Sequence, residues 1–296
     1  MKQRSWLFVP GDSEKKLTKA PATGADVVIV DLEDAVAPEA KATARHFARE
    51  WLMTNKEQLL AGEKQQHWVR INPLDSGIWK EDLAAVLPGK PDGIVVPKAA
   101  GPDQLRLLMA ELYELEQRSG VQPNATRLLP LVSETAHAAL TLTAYGDPAN
   151  AIPRLLGLTW GAEDLSAAIG AVRKRDSRGV WTDLFRMVRA QVLLTAHAAG
   201  VSAIDTLHAD FRDEEGLQRV ARESYEDGFA GMLAIHPAQV PIINAAFTPS
   251  HEELAEAQAI VDAFAANPGV GALQIDGRMI DQPHHEQAKK LLARSR

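Results

Sequence analysis

Short runs rich in Val, Ile and Leu alternate along the chain with longer stretches in which apolar residues recur three and four positions apart. The short runs fall at residues 5–9, 27–32, 68–72, 93–97, 128–133, 155–160, 202–207 and 232–236. Their nearly continuous apolar character is that of parallel strands covered on both faces. The longer stretches, such as 102–118 and 183–199, set charges opposite an apolar stripe and read as amphipathic helices. Asp12-Ser13 ahead of Glu14, and Gly200 after the 183–199 stretch, occupy positions suited to an N-cap and a left-handed C-cap. Eight βα repeats within 296 residues predict an α/β fold, the closed (β/α)8 TIM barrel. An open doubly wound sheet would carry a Gly-rich phosphate turn after its first strand, where this chain has Val9-Pro10-Gly11-Asp12.

The pattern assigns residues 1–247 to the barrel core and 248–296 to an extension, with a helix near 252–266 and a tail from 272. A closed barrel does not need such an appendage, which therefore packs under the barrel or reaches a neighbouring protomer. The stretch 170–180, with Arg173, Lys174, Arg175 and Arg178, reads as a mobile basic loop behind the sixth strand.

Composition narrows the chemistry. A formal charge of −7 argues against a nucleic-acid or anionic-membrane surface. The absence of cysteine removes disulfides, thiolate zinc sites and cysteine nucleophiles, so a metal must sit on oxygen or imidazole. No run reaches the length of a membrane span, and the apolar run before Pro10-Gly11 is too short for a signal-peptide core. The expectation is a soluble cytoplasmic protein.

Barrel enzymes place their chemistry at the C-terminal ends of strands. Those ends carry Asp31, Glu33 and Asp34; Glu134; Glu163 and Asp164; and Asp205, set against Arg70, Asn72 and Lys98. Carboxylates converging on one mouth repel one another unless a cation lies among them, and Mg²⁺ completed by water is the simplest such ion. Asp31 and Asp34 read equally as helix caps or as supports behind the site. Glu134 reads as a ligand, because Thr135 is the better cap, whereas spacing does not choose between Glu163 and Asp164. Most of the histidines read as surface residues, His46, His67 and His137 in helical or pre-strand positions and His284 and His285 in a polar tail, and His236 at the last strand end is the exception. Lys15, Lys16 and Lys19 form a solvated helix face or a phosphate contact.

The segments Arg4-Ser5-Trp6-Leu7-Phe8-Val9-Pro10-Gly11, Asp31-Leu32-Glu33-Asp34-Ala35-Val36, Val69-Arg70-Ile71-Asn72, Pro97-Lys98, Glu134-Thr135-Ala136, Gly161-Ala162-Glu163-Asp164-Leu165 and Ile235-His236-Pro237-Ala238-Gln239 resemble, in order, the citrate lyase beta subunit-like family of the HpcH/HpaI aldolase superfamily. That family includes malyl-CoA and citramalyl-CoA lyases. The resemblance implies a TIM barrel, assembled as a homotrimer or hexamer, that makes or breaks C–C bonds in 3-hydroxyacyl thioesters with Mg²⁺. It implies metal ligands at Glu134 and Asp164, substrate binding at Arg70 and Glu134, and coenzyme A contacts at Phe8, Lys15, Lys19, Ile235 and His236. Gly277-Arg278-Met279-Ile280-Asp281 is similar to a C-terminal segment whose aspartate completes a neighbouring protomer's site, which makes Asp281 the acid/base and Arg70 its catalytic companion. Two further activities fit the same family, a malyl-CoA thioesterase and the beta subunit of a citrate lyase complex. Met232 stands where many relatives carry Lys, and is expected to alter contacts near the thioester arm.

Overall fold

The computed structural model describes residues 2–55 and 65–294; residue 1, residues 56–64 and the last two residues of the expected tail lie outside them. Met1–Asn244 form one compact unit and Ala245–Arg296 a second.

The first unit carries β1 (Ser5–Pro10), α1 (Glu14–Lys19), β2 (Val27–Asp31), α2 (Lys41–Asn55), β3 (Gln66–Arg70), α3 (Trp79–Val86), β4 (Gly93–Val96), α4 (Pro102–Arg118), β5 (Arg127–Pro130), α5 (Ala136–Thr141), β6 (Gly157–Thr159), α6 (Ala162–Ile169), α7 (Asp183–Ala198), β7 (Ser202–Asp205), α8 (Glu214–Asp227) and β8 (Gly231–Ala234), with α9 (Gln239–Ala246) following. The strands pair in parallel in the order β5-β4-β3-β2-β1-β8-β7-β6. Bridges Leu128 to Leu155 and Leu131 to Thr159 join the two ends. The sheet is therefore the closed eight-stranded barrel that the alternation predicts.

Side-chain parity along the strands fixes what faces the lumen. Trp6, Val27, Ile29, Trp68, Val95, Leu129, Leu131, Ile204 and Leu233 form one buried cluster, and residues two positions along a strand share its face. Trp6 meets Trp68 edge to face at 5.0 Å. Gly93 is required opposite them, since a Cβ there would lie 2.4 Å from the Trp68 ring. Continuing the parity by one layer towards the C-terminal ends places Phe8, Asp31 and Arg70 on the lumen face. It places Asp205 and Met232 on the helix-facing side instead.

The other end of the barrel carries stability. Glu116 and Arg154 are both buried and pair through two bonds of 2.6 and 2.7 Å. The backbone N–H groups of Asn124 and Thr126 donate to the same carboxylate. His67, expected among surface or pre-strand residues, is instead buried within β3 against Trp51 of α2, with rings 4.4 Å apart. Burial lowers its pKa to about 4.

The second unit holds α10 (His251–Ala266), β9 (Ala272–Ile275), β10 (Arg278–Asp281) and α11 (Gln282–Arg294). Ser250 and Glu253 form a reciprocal capping box on α10. β9 and β10 are an antiparallel hairpin turned by Asp276-Gly277, both with positive φ. No helix among the described residues is long and apolar enough to cross a membrane.

Replacing Arg154 by Met leaves the Glu116 carboxylate buried without its cation. The expected loss is about 3–5 kcal/mol of unfolding free energy, read from the denaturant midpoint, and the double replacement of both residues by Met should recover most of it.

Candidate active site

The top lumen layer is an ion-pair lattice. Arg70 Nε and Nη2 each donate to one oxygen of Asp31 at 2.7 Å. Asp31 also accepts from the backbone N–H of Glu33 at 2.9 Å, which turns the chain sharply after β2. Arg70 Nη1 lies 2.9 Å from Glu33 Oε2, off the hydrogen-bonding direction, since that oxygen has no hydrogen-bond partner. The guanidinium stacks 4.7 Å above the Phe8 ring. Burial alone would lower the Arg70 pKa, but Asp31 above all, then Glu33 and Glu134, raise it, so the group is a permanent cation.

Lys98 follows β4 with φ of +50°, a left-handed backbone uncommon for a residue with a side chain. That conformation aims its N–H at Glu134 Oε2, 2.5 Å away. Its ammonium bonds Glu33 and lies 3.5 Å from Asp34 and 3.8 Å from Asp164. Lys41 bridges the Leu32 and Glu33 carbonyls at 2.7 Å each and fixes the acidic turn from behind.

Glu134 is 1% exposed. One oxygen is held by Lys98, while Oε1 has no hydrogen-bond partner. Burial first, then the charges of Asp164 and Glu33, raise its pKa to about 8. Gly161 gives it room, because a Cβ there would sit 2.9 Å from Glu134 Cγ and 3.0 Å from Oε1. Thr135, not Glu134, caps α5, accepting from the Ala138 N–H at 3.1 Å. In the first turn of α6, Glu163 is engaged by Lys174, which leaves Asp164 as the acid that couples to Glu134. An orphaned buried oxygen beside a second carboxylate, with space kept open by a glycine, suits a small oxygen-seeking cation held by two carboxylates and water. Among the described residues no group of three or more His, Asp and Glu side chains is placed to hold a metal ion, so the candidate site rests on these two carboxylates.

Arg70, Glu134, Asp164 and Phe8 thus share one cluster. Ile235 and His236 follow β8, with both N–H groups donating to Gln239 Oε1 at 2.8 and 3.2 Å. His236 stacks on Phe211 at 4.8 Å and accepts the Ala238 N–H at Nδ1, so in the neutral ring the proton lies on Nε2. Lys15 and Lys19 stand exposed on α1. Asp281 ends β10 in the second unit, its carboxylate 2.5 Å from His284 Nδ1.

Two expectations about the strand ends fail. Asp205 does not join the converging acids but faces the helices, bonded to Trp160, Arg189 and Ser224. Met232 is buried on the same side of the sheet, around a small cavity with Arg175, Trp181, Arg189 and Asp205, away from the lumen mouth. Sequence reasoning missed Gln239 and Phe211, although the Pro237-Ala238-Gln239 step after a strand end pointed towards the first.

A parallel barrel with a carboxylate pair, an arginine and a lysine at its C-terminal mouth is an enzyme architecture built for polarising and cleaving anionic substrates. The chain belongs to the HpcH/HpaI aldolase/citrate lyase family, whose model matches residues 4–237. It is 33% identical to a mitochondrial citramalyl-CoA lyase of Rattus norvegicus, over 98% of this chain and 85% of that protein. A (3S)-malyl-CoA thioesterase of Cereibacter sphaeroides is also 33% identical, over 99% of this chain and 94% of that protein. The CitE protein of Mycobacterium tuberculosis, solved with magnesium, acetoacetate and coenzyme A, superposes with a TM-score of 0.78 at 34% identity, covering 99% of this chain and 98% of that one.

The raised Glu134 pKa has a signed consequence. Between its ordinary value of 4.5 and about 8 the folded chain holds a proton that the unfolded chain has released, so stability falls as pH rises through that window. His67 works oppositely, adding stability between about 4 and 6.5. In chelator, the thermal midpoint is expected to decline from pH 6.5 to 8, and Glu134→Gln should flatten that slope and raise the midpoint at pH 8.

Proposed function

We propose that this chain is a Mg²⁺-dependent carbon-carbon lyase that cleaves citramalyl-CoA or malyl-CoA into acetyl-CoA and a 2-oxo acid, acting in the cytoplasm as a homotrimer or hexamer. The observation that carries this reading is the buried, half-satisfied Glu134 carboxylate beside Asp164, with permanent cations on its flank. Glu134 and Asp164 would hold Mg²⁺, which when bound supplies Lewis-acid polarisation of the hydroxy-acid oxygens and offsets the repulsion of its ligands. The Citramalyl-CoA lyase name of the rat relative and the magnesium and coenzyme A complex of CitE support the same assignment.

Arg70 does the electrostatic work of the chain itself. Asp31 holds it bidentately against Phe8, so its orientation is set before substrate arrives, and its Nη1 forms an ion pair with Glu33 at 2.9 Å without a hydrogen bond. The Nη1 hydrogens are the proposed donors for the substrate carboxylate, which enters in exchange for the Glu33 contact and whose charge becomes that of the 2-oxo acid. In the cleavage Asp281, as acid/base, takes the substrate hydroxyl proton, the C–C bond breaks, its electron pair forms the thioester enolate, and return of that proton to carbon gives acetyl-CoA. Asp281 from a neighbouring protomer is the proposed acid/base, with Lys15, Lys19, Phe8, Ile235 and His236 along the coenzyme A arm.

Incubation of the purified chain with each acyl-CoA, followed by mass spectrometry, tests the reaction. Acetyl-CoA with pyruvate or glyoxylate, lost with chelator, is the expected result. Free CoA with an intact hydroxy acid would overturn the lyase reading in favour of hydrolysis, the activity named for the Cereibacter relative.

Two variants divide the roles. Arg70→Lys keeps the charge but loses the fork that Asp31 grips, and should lower kcat about 100-fold. Asp281→Asn should abolish turnover with acyl-CoA affinity within about twofold of wild type, read by isothermal titration; loss of both would remove Asp281 from proton transfer.

A further inference from the structure

The carboxylate that the strand-end argument misplaces has a role of its own. Asp205, on the helix-facing side of β7, is buried, and both its oxygens are saturated. Oδ1 accepts from Trp160 Nε1 at 2.7 Å and from the Thr206 N–H at 2.9 Å. Oδ2 accepts from Arg189 Nε at 2.8 Å and Ser224 Oγ at 2.7 Å. One side chain thus ties together β7, α7, α8 and the end of β6. A buried acid with no open lone pair does no chemistry, but it fixes whatever it bonds.

What it fixes is Trp160. This ring is fully buried and stands immediately before Gly161, the N-cap of α6. Gly161 is the residue whose missing side chain makes room for Glu134, and Asp164 lies in the first turn of the helix it starts. A shift of Trp160 therefore moves both candidate metal ligands' surroundings at once: the wall behind Glu134 and the turn bearing Asp164.

The 170–181 segment braces the same ring from outside. Expected to be a mobile basic loop, it closes on itself, with Arg175 bridging Trp181 in antiparallel fashion and the Thr182 N–H donating to the Lys174 carbonyl at 2.9 Å. Trp181 packs 5.3 Å from Trp160, and the Arg175 guanidinium sits 3.5 Å over the Trp181 ring. Lys174 of the same segment holds Glu163, so the brace also withdraws the competing acid next to Asp164.

We propose that Asp205 and Trp160 are positioning residues for the Glu134 and Asp164 pair, and that Trp181 with Arg175 is the outer half of the same device. This rests on the reading that Glu134 and Asp164 hold Mg²⁺. The device acts on metal affinity rather than on coenzyme A binding, because none of its four side chains lies on the lumen face with Phe8 and Arg70.

The test is titration of Mg²⁺ alone into the full chain by calorimetry, beside the thermal midpoint in chelator and the KM for the acyl-CoA. Trp160→Phe keeps a buried aromatic ring but removes the bond to Asp205, together with part of the indole that packs on Trp181. It should weaken Mg²⁺ binding about tenfold or more, raise the Mg²⁺ half-saturation of kcat equally, and leave KM within about twofold. Trp181→Leu, which spares the Trp160 bond and serves if the first variant fails to fold, should weaken Mg²⁺ binding about threefold, a smaller share of the same outer-partner effect. Wild-type Mg²⁺ affinity in both variants, with only the thermal midpoint lowered, would make the cluster purely structural and overturn the proposal. Equal Mg²⁺ binding by wild type and Glu134→Gln would instead show that the metal reading itself has failed.

Discussion

A buried carboxylate with one oxygen bonded and the other bare is the constraint around which the mouth of this barrel is arranged. Glu134 cannot be solvated, and an isolated charge in such a place would cost many kcal/mol or simply remain protonated. The chain responds in several ways at once. Lys98 adopts a left-handed backbone to supply one donor, and Gly161 gives up its side chain to leave the second oxygen space. The nearby cations cannot close the gap themselves. Arg70 is committed to Asp31, and the Lys98 ammonium to Glu33. The lattice leaves one negative position open by exhausting the partners that would otherwise fill it.

Much of the barrel was readable because strands in a parallel sheet are buried on both faces, so each announces itself as a continuous apolar run. The same continuity conceals which face of each strand looks inward. Asp31 and Asp205 both follow such runs, and nothing local separates them. Only the shared register does, aligning Asp31 with Ile29 and Val27 on the lumen face while setting Asp205 opposite to Ile204. The same parity sends Met232 away from the mouth. Ion pairing resolved what spacing left open between Glu163 and Asp164, and the resolving partner, Lys174, sat in a stretch with no periodicity to read.

Other features were present in the sequence as short-range chemistry. Asp276-Gly277 between Ala272-Leu273-Gln274-Ile275 and Arg278-Met279-Ile280-Asp281 is the standard two-residue hairpin signal, with both turn residues at positive φ. It places Asp281 at the end of a strand instead of in an irregular tail. His67 is harder to find, since a histidine just ahead of an apolar run looks the same whether it faces water or, as here, the Trp51 ring.

Two glutamates show why the site lies where it does. Glu116 and Glu134 are both closed off from solvent, Glu134 the more deeply set of the two, and their pKa values move in opposite directions. At Glu116 burial alone would raise the value, but Arg154 and the N–H groups of Thr126 and Asn124 outweigh it and hold the group ionised. At Glu134 burial is reinforced by Asp164 and Glu33, and a single N–H with a more distant arginine does not offset them. The first carboxylate is complete and therefore inert, a clamp behind β5. The second is incomplete by one cation, and that deficiency lies at the C-terminal end of the barrel, where the loops leave room for a ligand to make it good. The difference between scaffold and chemistry in this protein is thus a difference in how many partners a buried acid has been given.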